Sequence, residues 1–194
     1  MGVTLWIVPA EHDVQRLQAI MHLRAEEPHS NSSYPKFTPH ITLALVPKDL
    51  NFELPTLRAA VPPSQERLAI DFESVEVGST YFRSVYIAVK LSPELTTLHQ
   101  HVHASLGVDP KTPSFPHVSL CYIDDNEEDE RRRFQKTLQS EGRIREEFPG
   151  SVAVNCGPND EEDWMSGFEA AEIWVVNCEG PVEEWEILEK IPIS

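Results

Sequence analysis

The sequence predicts one domain of mixed strands and helices, built as two half-repeats of strand, helix, loop and strand. Three observations carry this. The chain has 194 residues, 40% hydrophobic and 25% charged, which suits one globular domain or two lobes sharing a core. Its apolar residues alternate between period-two runs and helical stripes. The stretch Phe37-Thr38-Pro39-His40-Ile41-Thr42-Leu43 is echoed by Ser114-Phe115-Pro116-His117-Val118-Ser119-Leu120, and each follows a helical stripe and a Pro-rich loop.

The elements follow in order. Residues 3–8, rich in Val, Ile and Trp, read as a strand. Residues 11–27 put Val14, Leu17 and Met21 on one helical face. Residues 28–39 hold three prolines with Ser and Asn and form a loop, and 40–46 a strand. Residues 47–63 carry four prolines and one short helix. Residues 67–77 and 81–90 form a hairpin turning at Gly78-Ser79-Thr80. In its first arm Leu68, Ile70 and Phe72 share one phase and Val75 and Val77 the other, so a bulge is expected near Glu73–Ser74.

Residues 93–106 form a helix: Pro93 suits its first turn, Leu95, Leu98, Val102 and Leu106 form a stripe, and Gly107 ends it. A loop over 108–116 leads to a strand at 117–123. Residues 126–141 form a helix capped by Asp124 or Asp125, with acids in its first turn and Arg131–Arg133 further along. Residues 142–166 read as irregular and acidic. Residues 168–178 and 182–191 close the fold as a strand pair around Gly180-Pro181.

Composition excludes several classes. The net charge is −16, from 16 basic and 32 acidic residues. Long nucleic acids bind through clustered Lys and Arg, so a polyanion is repelled, while a small anion can enter a locally positive pocket. No apolar run approaches a membrane span, and the first residues lack the basic start of a signal peptide. Cys121, Cys156 and Cys178 are odd in number and widely spaced, which suggests neither a disulfide framework nor a zinc site. An intracellular, cytoplasmic monomer without cofactor or metal is expected.

The paired motifs carry the chemistry. On a strand, residues i and i+2 share a face, so His40 projects with Thr42 and His117 with Ser119. If the half-repeats pack about a pseudo-two-fold axis, two imidazoles and two hydroxyls meet in one cavity. Such a set fits a phosphodiester. One neutral imidazole takes a proton from attacking water, the other donates one to the departing oxygen, and the hydroxyls hold the non-bridging oxygens. A single His-x-Thr is usually incidental; two copies in matched settings are not. The motifs are nearly equivalent and do not fix the roles, so His117 as base and His40 as acid is a working assignment.

Other features receive lesser readings. His99, His101 and His103 read as a solvated helix face rather than a metal site, since no acidic third ligand accompanies them. Tyr81 and Phe82 are candidates for stacking on a base, with one of them expected in the core. The acidic runs Asp124–Glu130 and Asp160–Asp163 read as solvated surface. Lys36 is the cation nearest in sequence to the first motif.

The residues Leu5-Trp6-Ile7-Val8-Pro9, the Phe37 to Leu43 block and Pro116-His117-Val118-Ser119-Leu120-Cys121-Tyr122 resemble the 2H phosphoesterase superfamily, most closely the cyclic phosphodiesterase branch of fungi and plants. The resemblance implies an α+β fold of two lobes, with two pseudo-symmetric antiparallel sheets, outer helices and a central cleft. It implies hydrolysis of 2′,3′-cyclic nucleotides to 2′-phosphates and of ADP-ribose 1″,2″-cyclic phosphate, a by-product of tRNA splicing, to the 1″-phosphate. His40 and His117 carry over as catalytic, Thr42 and Ser119 as phosphate-binding, and Tyr122 as a residue lining the cleft. Two other readings stay open: an RNA-end processing member of the superfamily, and a non-catalytic nucleotide-binding module.

Overall fold

A computed structural model describes residues 2–23, 30–47, 50, 52–63, 68–110, 115–158 and 161–193. The first half-repeat is β1 (Val3–Pro9), α1 (Glu11–Met21) and β2 (Ile41–Leu45), followed by the short helix α2 (Leu54–Ala59). The second is the hairpin β3 (Ala69–Thr80) and β4 (Arg83–Val89), then α3 (Pro93–Leu106) and β5 (His117–Cys121). Next come α4 (Glu128–Ser140), β6 (Ile144–Phe148), β7 (Ser151–Asn155), β8 (Trp164–Met165), β9 (Gly167–Asn177) and β10 (Glu186–Pro192).

Seven strands form one antiparallel sheet in the order β1-β2-β5-β4-β3-β9-β10. β9 also pairs with β1 along Ala170–Asn177, while its first residues, Gly167–Glu169, pair with β3. The sheet therefore has two arms, β2-β1-β9-β10 and β5-β4-β3. They meet where β2 touches β5 at the single pairing Ile41↔Val118, and again where β9 meets β3. This is the expected α+β arrangement of two antiparallel arms with outer helices and a cleft between.

Alternation sets which face is which. Leu5 and Ile7 are fully buried with Leu17 and Ile20 of α1, and with Leu95, Leu98 and Val102 of α3. Trp6 points the other way, toward Trp174 and Val176. Ser92 caps α3 by accepting the Leu95 N–H at 3.1 Å, and Gly107 closes it at φ 62°. The bulge in β3 falls between Phe72 and Ser74, where the buried phase changes.

Three expectations are corrected. The hairpin turns at Tyr81-Phe82, and Thr80 pairs with Arg83. Gly78 belongs to β3 instead, because a Cβ there would lie 1.9 Å from the Arg83 carbonyl oxygen. Residues 142–166 are not all irregular: β6, β7 and β8 form a second antiparallel sheet. α4 begins after Glu127 without a side-chain cap. Asp124 instead accepts from the Asn126 N–H at 2.9 Å and from the hydroxyls of Ser30 and Ser32. These bonds hold its carboxyl near 2, below the usual carboxylate range.

The acidic runs are likewise not all solvated. Glu130 is buried, accepting the Tyr34 hydroxyl at 2.5 Å and the Arg133 guanidinium. Asp163 pairs with Arg16 at 2.6 Å, which ties α1 to the second sheet. Asp160 lies outside the described residues, as do 24–27 of the first predicted helix, 111–114 of the loop after α3, and Ser114 of the echo. No helix among the described residues is long and apolar enough to cross a membrane. The three cysteines are buried free thiols.

Candidate active site

The two motifs converge. A cleft of about 430 Å³ between the arms is lined by His40, Thr42, His117, Ser119 and Tyr122. Its remaining lining includes Thr4, Trp6, Arg83, Cys178 and Trp185, which sequence reasoning had not assigned.

The register explains the convergence. In the first arm Trp6 lies opposite Thr42, and in the second Tyr86 lies opposite Ser119. Each motif hydroxyl thus faces an aromatic residue on its partner strand. Those same aromatics hold the histidines. The Trp6 ring stacks on His40 with centroids 3.6 Å apart and planes within 6°. Tyr86 meets His117 nearly edge-on, at 5.2 Å and 68°. The pseudo-symmetry suggested by the echo therefore extends to the supporting strands.

His40 is only 6% exposed although it lines the cleft. Its Nδ1 lies 2.6 Å from the Thr38 carbonyl oxygen. A carbonyl only accepts, so Nδ1 carries the hydrogen and the lone pair of the neutral ring sits on Nε2. Burial above all, opposed by the Thr38 bond and helped by the charge of His117, lowers the His40 pKa to about 3. His40 is therefore neutral. His117, at the head of β5, is half-buried.

The hydroxyls differ. Ser119 is buried, and its Oγ donates to the Phe82 carbonyl oxygen at 3.0 Å. Thr42, half-buried on β2, has its side chain in the cleft lining. Tyr122 is buried at the cleft wall and stacks on Phe37 at 4.0 Å. Burial raises its phenol well above the ordinary value, so it stays protonated, beside Ser119.

Other candidates fall elsewhere. Lys36 lines a separate pocket with Tyr34 and Phe37, behind the wall that Tyr122 forms. Tyr81 and Phe82 both sit at the hairpin turn and neither is in the core. Phe82 is 41% exposed at the cleft mouth, 5.9 Å from Trp185, and the Tyr81 hydroxyl donates to the Ser32 carbonyl. Of the three histidines on α3, only His101 is exposed. His103 is buried with Nδ1 2.8 Å from the His99 carbonyl oxygen, and His99 packs on Phe115 at 4.1 Å. Among the described residues no three His, Cys, Asp or Glu side chains converge to hold a metal ion.

Comparison with known proteins identifies the family. Residues 1–193 match the model of the cyclic phosphodiesterase-like protein family. A 2′,3′-cyclic-nucleotide 3′-phosphodiesterase of Yarrowia lipolytica is 27% identical over 227 residues, covering 97% of this chain and 98% of that protein. A cyclic phosphodiesterase of Arabidopsis thaliana is 24% identical over 71% of this chain and 75% of its own length. Among solved structures, Escherichia coli LigT complexed with 3′-AMP shares the fold at TM-score 0.55 and 12% identity, covering all of this chain and 98% of that one. A family match over nearly the whole chain, on a fold that unites both His-x-Thr/Ser motifs in one cleft, places this protein in the cyclic phosphodiesterase-like family of the 2H phosphoesterases.

Proposed function

We propose that this enzyme is a hydrolase of small cyclic phosphates. It converts 2′,3′-cyclic nucleotides to 2′-phosphates and ADP-ribose 1″,2″-cyclic phosphate to the 1″-phosphate, a by-product step of tRNA splicing, without a metal. The observation that carries this is the convergence of two imidazoles and two hydroxyls in one cleft. Its volume falls in the roughly 300–1,000 Å³ range of small-molecule sites. Three free thiols fit a cytoplasmic setting.

Water attacks phosphorus as one imidazole takes its proton. The P–O bond of the ring breaks, and the other imidazole protonates the departing oxygen. The hydroxyls of Thr42 and Ser119 donate to the non-bridging oxygens, where negative charge grows.

With His117 as base and His40 as acid, His40 must gain a proton when the anion binds, since its burial holds it neutral. A phosphate charge beside the ring raises its pKa, and the Trp6 face favours the imidazolium. Between the empty and the bound pKa, binding therefore takes up a proton. Calorimetry of 2′,3′-cyclic AMP binding to the inactive His117→Ala variant, in buffers of differing ionisation heat, should show uptake at pH 6 that fades by pH 8. The variant lacking both histidines should show none. Binding without uptake at pH 6 reverses the two roles.

The reading as a whole is tested by turnover of 2′,3′-cyclic AMP in the presence of EDTA. A non-catalytic module gives none, and a metal-dependent enzyme loses its activity. At low salt a cyclic mononucleotide should be cleaved more efficiently than an oligonucleotide ending in the same group, because the net charge of −16 repels a polyanion. Preference for the oligonucleotide favours RNA-end processing.

A further inference from the structure

The cleft has an electrostatic asymmetry that the two motifs do not explain. The chain carries 32 acidic residues, yet no Asp or Glu lines the cleft among the described residues. Among the described residues Arg83 is the one Lys or Arg that does. It begins β4, immediately after the hairpin turn, and lines the cleft with Ser79 and Thr80 from the end of β3. These three come from the hairpin end, whereas the His and hydroxyl quartet comes from the motifs at β2 and β5.

The guanidinium is also held in place. Its carbon lies 5.1 Å from the centroid of the Tyr86 ring, and that ring meets His117 on its own account at 5.2 Å. Tyr86 thus bridges the cation and the catalytic imidazole. Along β4, Arg83 lies three residues beyond Tyr86, the partner of Ser119, in the direction away from His117's partner Ala88. A guanidinium fixed on an aromatic face loses less freedom on binding, and its planar fork matches phosphate oxygens.

We propose that Arg83, with the hydroxyls of Ser79 and Thr80, forms a second anion subsite. It selects cyclic phosphates that carry a further phosphate group on the same small molecule. The proposal rests on the cyclic phosphodiesterase reading and adds a specificity determinant to it.

The test compares kcat/KM for 2′,3′-cyclic AMP and for its 5′-phosphorylated form, in wild type, Arg83→Gln and Arg83→Lys. A dinucleotide with a terminal cyclic phosphate, whose internal phosphate is a diester, serves as the third substrate. The 5′-phosphate should raise wild-type kcat/KM about tenfold, mainly through KM, and the gain should shrink with added salt. Arg83→Gln should bring the ratio of the two mononucleotides close to one, and Arg83→Lys should restore part of it. The dinucleotide should gain less than the 5′-monoester. A wild-type ratio near one overturns the subsite. An unchanged ratio in Arg83→Gln does the same, as does an equal loss on both mononucleotides, which would assign Arg83 to the scissile phosphate. Failure of the wild type to cleave any of the three is a different result and overturns the underlying activity. Thermal unfolding of each variant separates these outcomes from misfolding.

Discussion

Replacing either His40 or His117 by alanine should lower turnover of a 2′,3′-cyclic nucleotide by at least about 10²-fold, the usual contribution of one positioned acid or base. The two replacements differ in their structural side effects. His117 is half-buried, and its removal leaves a solvated gap. His40 is buried under Trp6 and bonded to the Thr38 carbonyl, so alanine also removes a packed ring. His40→Asn is the cleaner probe, since its amide can still donate toward Thr38 but cannot shuttle a proton. Both His40 variants should be equally inactive while unfolding cooperatively. Near-wild-type turnover in any of the three variants would end the two-histidine mechanism. In the active enzyme the pH profile should be bell-shaped, and its limbs belong to the coupled pair rather than to one ring.

Thr42→Val should be the most damaging change at the hydroxyls. It keeps the shape and removes the donor, which in a well-organised anion site costs about 2.7–4 kcal/mol of transition-state stabilisation. Thr42→Ser keeps the donor and should be mild. Ser119→Ala should cost less than Thr42→Val because of a competing hydrogen bond. The Ser119 hydroxyl already donates to the Phe82 carbonyl, and must give up that bond to serve the phosphate. Its net gain is the difference between two hydrogen bonds. Steady-state kcat and KM for the three variants check this ordering. Equal damage from Thr42→Ser and Thr42→Val would show that side-chain shape matters and the hydroxyl does not.

The convergence of His40, Thr42, His117 and Ser119 on one cleft was legible because it depends on local rules. Strand alternation puts His40 with Thr42 and His117 with Ser119, and the Pro-His junctions mark where each motif leaves its loop. The amphipathic stripes of α1 and α3 were legible for the same reason. What supports the quartet was not. Trp6 over His40 and Tyr86 beside His117 follow from the registers of β1 with β2 and of β4 with β5, which no single segment encodes. Arg83 reaches the cleft because the hairpin turns at Tyr81-Phe82, and reading Gly78-Ser79-Thr80 as the turn hid that. Lys36 drew attention by closeness in sequence, but Phe37 and Tyr122 stand between its pocket and the cleft. The sheet of β6, β7 and β8 was missed because β6 is almost wholly exposed and carries charge at Arg145, Glu146 and Glu147, which masks strand periodicity.

The single pairing of Ile41 with Val118 has a consequence for how the enzyme comes into being. It joins residues 118 − 41 = 77 positions apart, whereas β3 and β4 meet across a two-residue turn. Closing a long loop is slower and entropically costlier than zipping a hairpin. The hairpin can form while the two motifs are still apart, and each half-repeat supplies only one imidazole and one hydroxyl of the cleft quartet. Assembly of the cleft therefore needs both half-repeats: during refolding, native-like secondary structure should return before turnover of a 2′,3′-cyclic nucleotide, measured by circular dichroism and activity on the same sample.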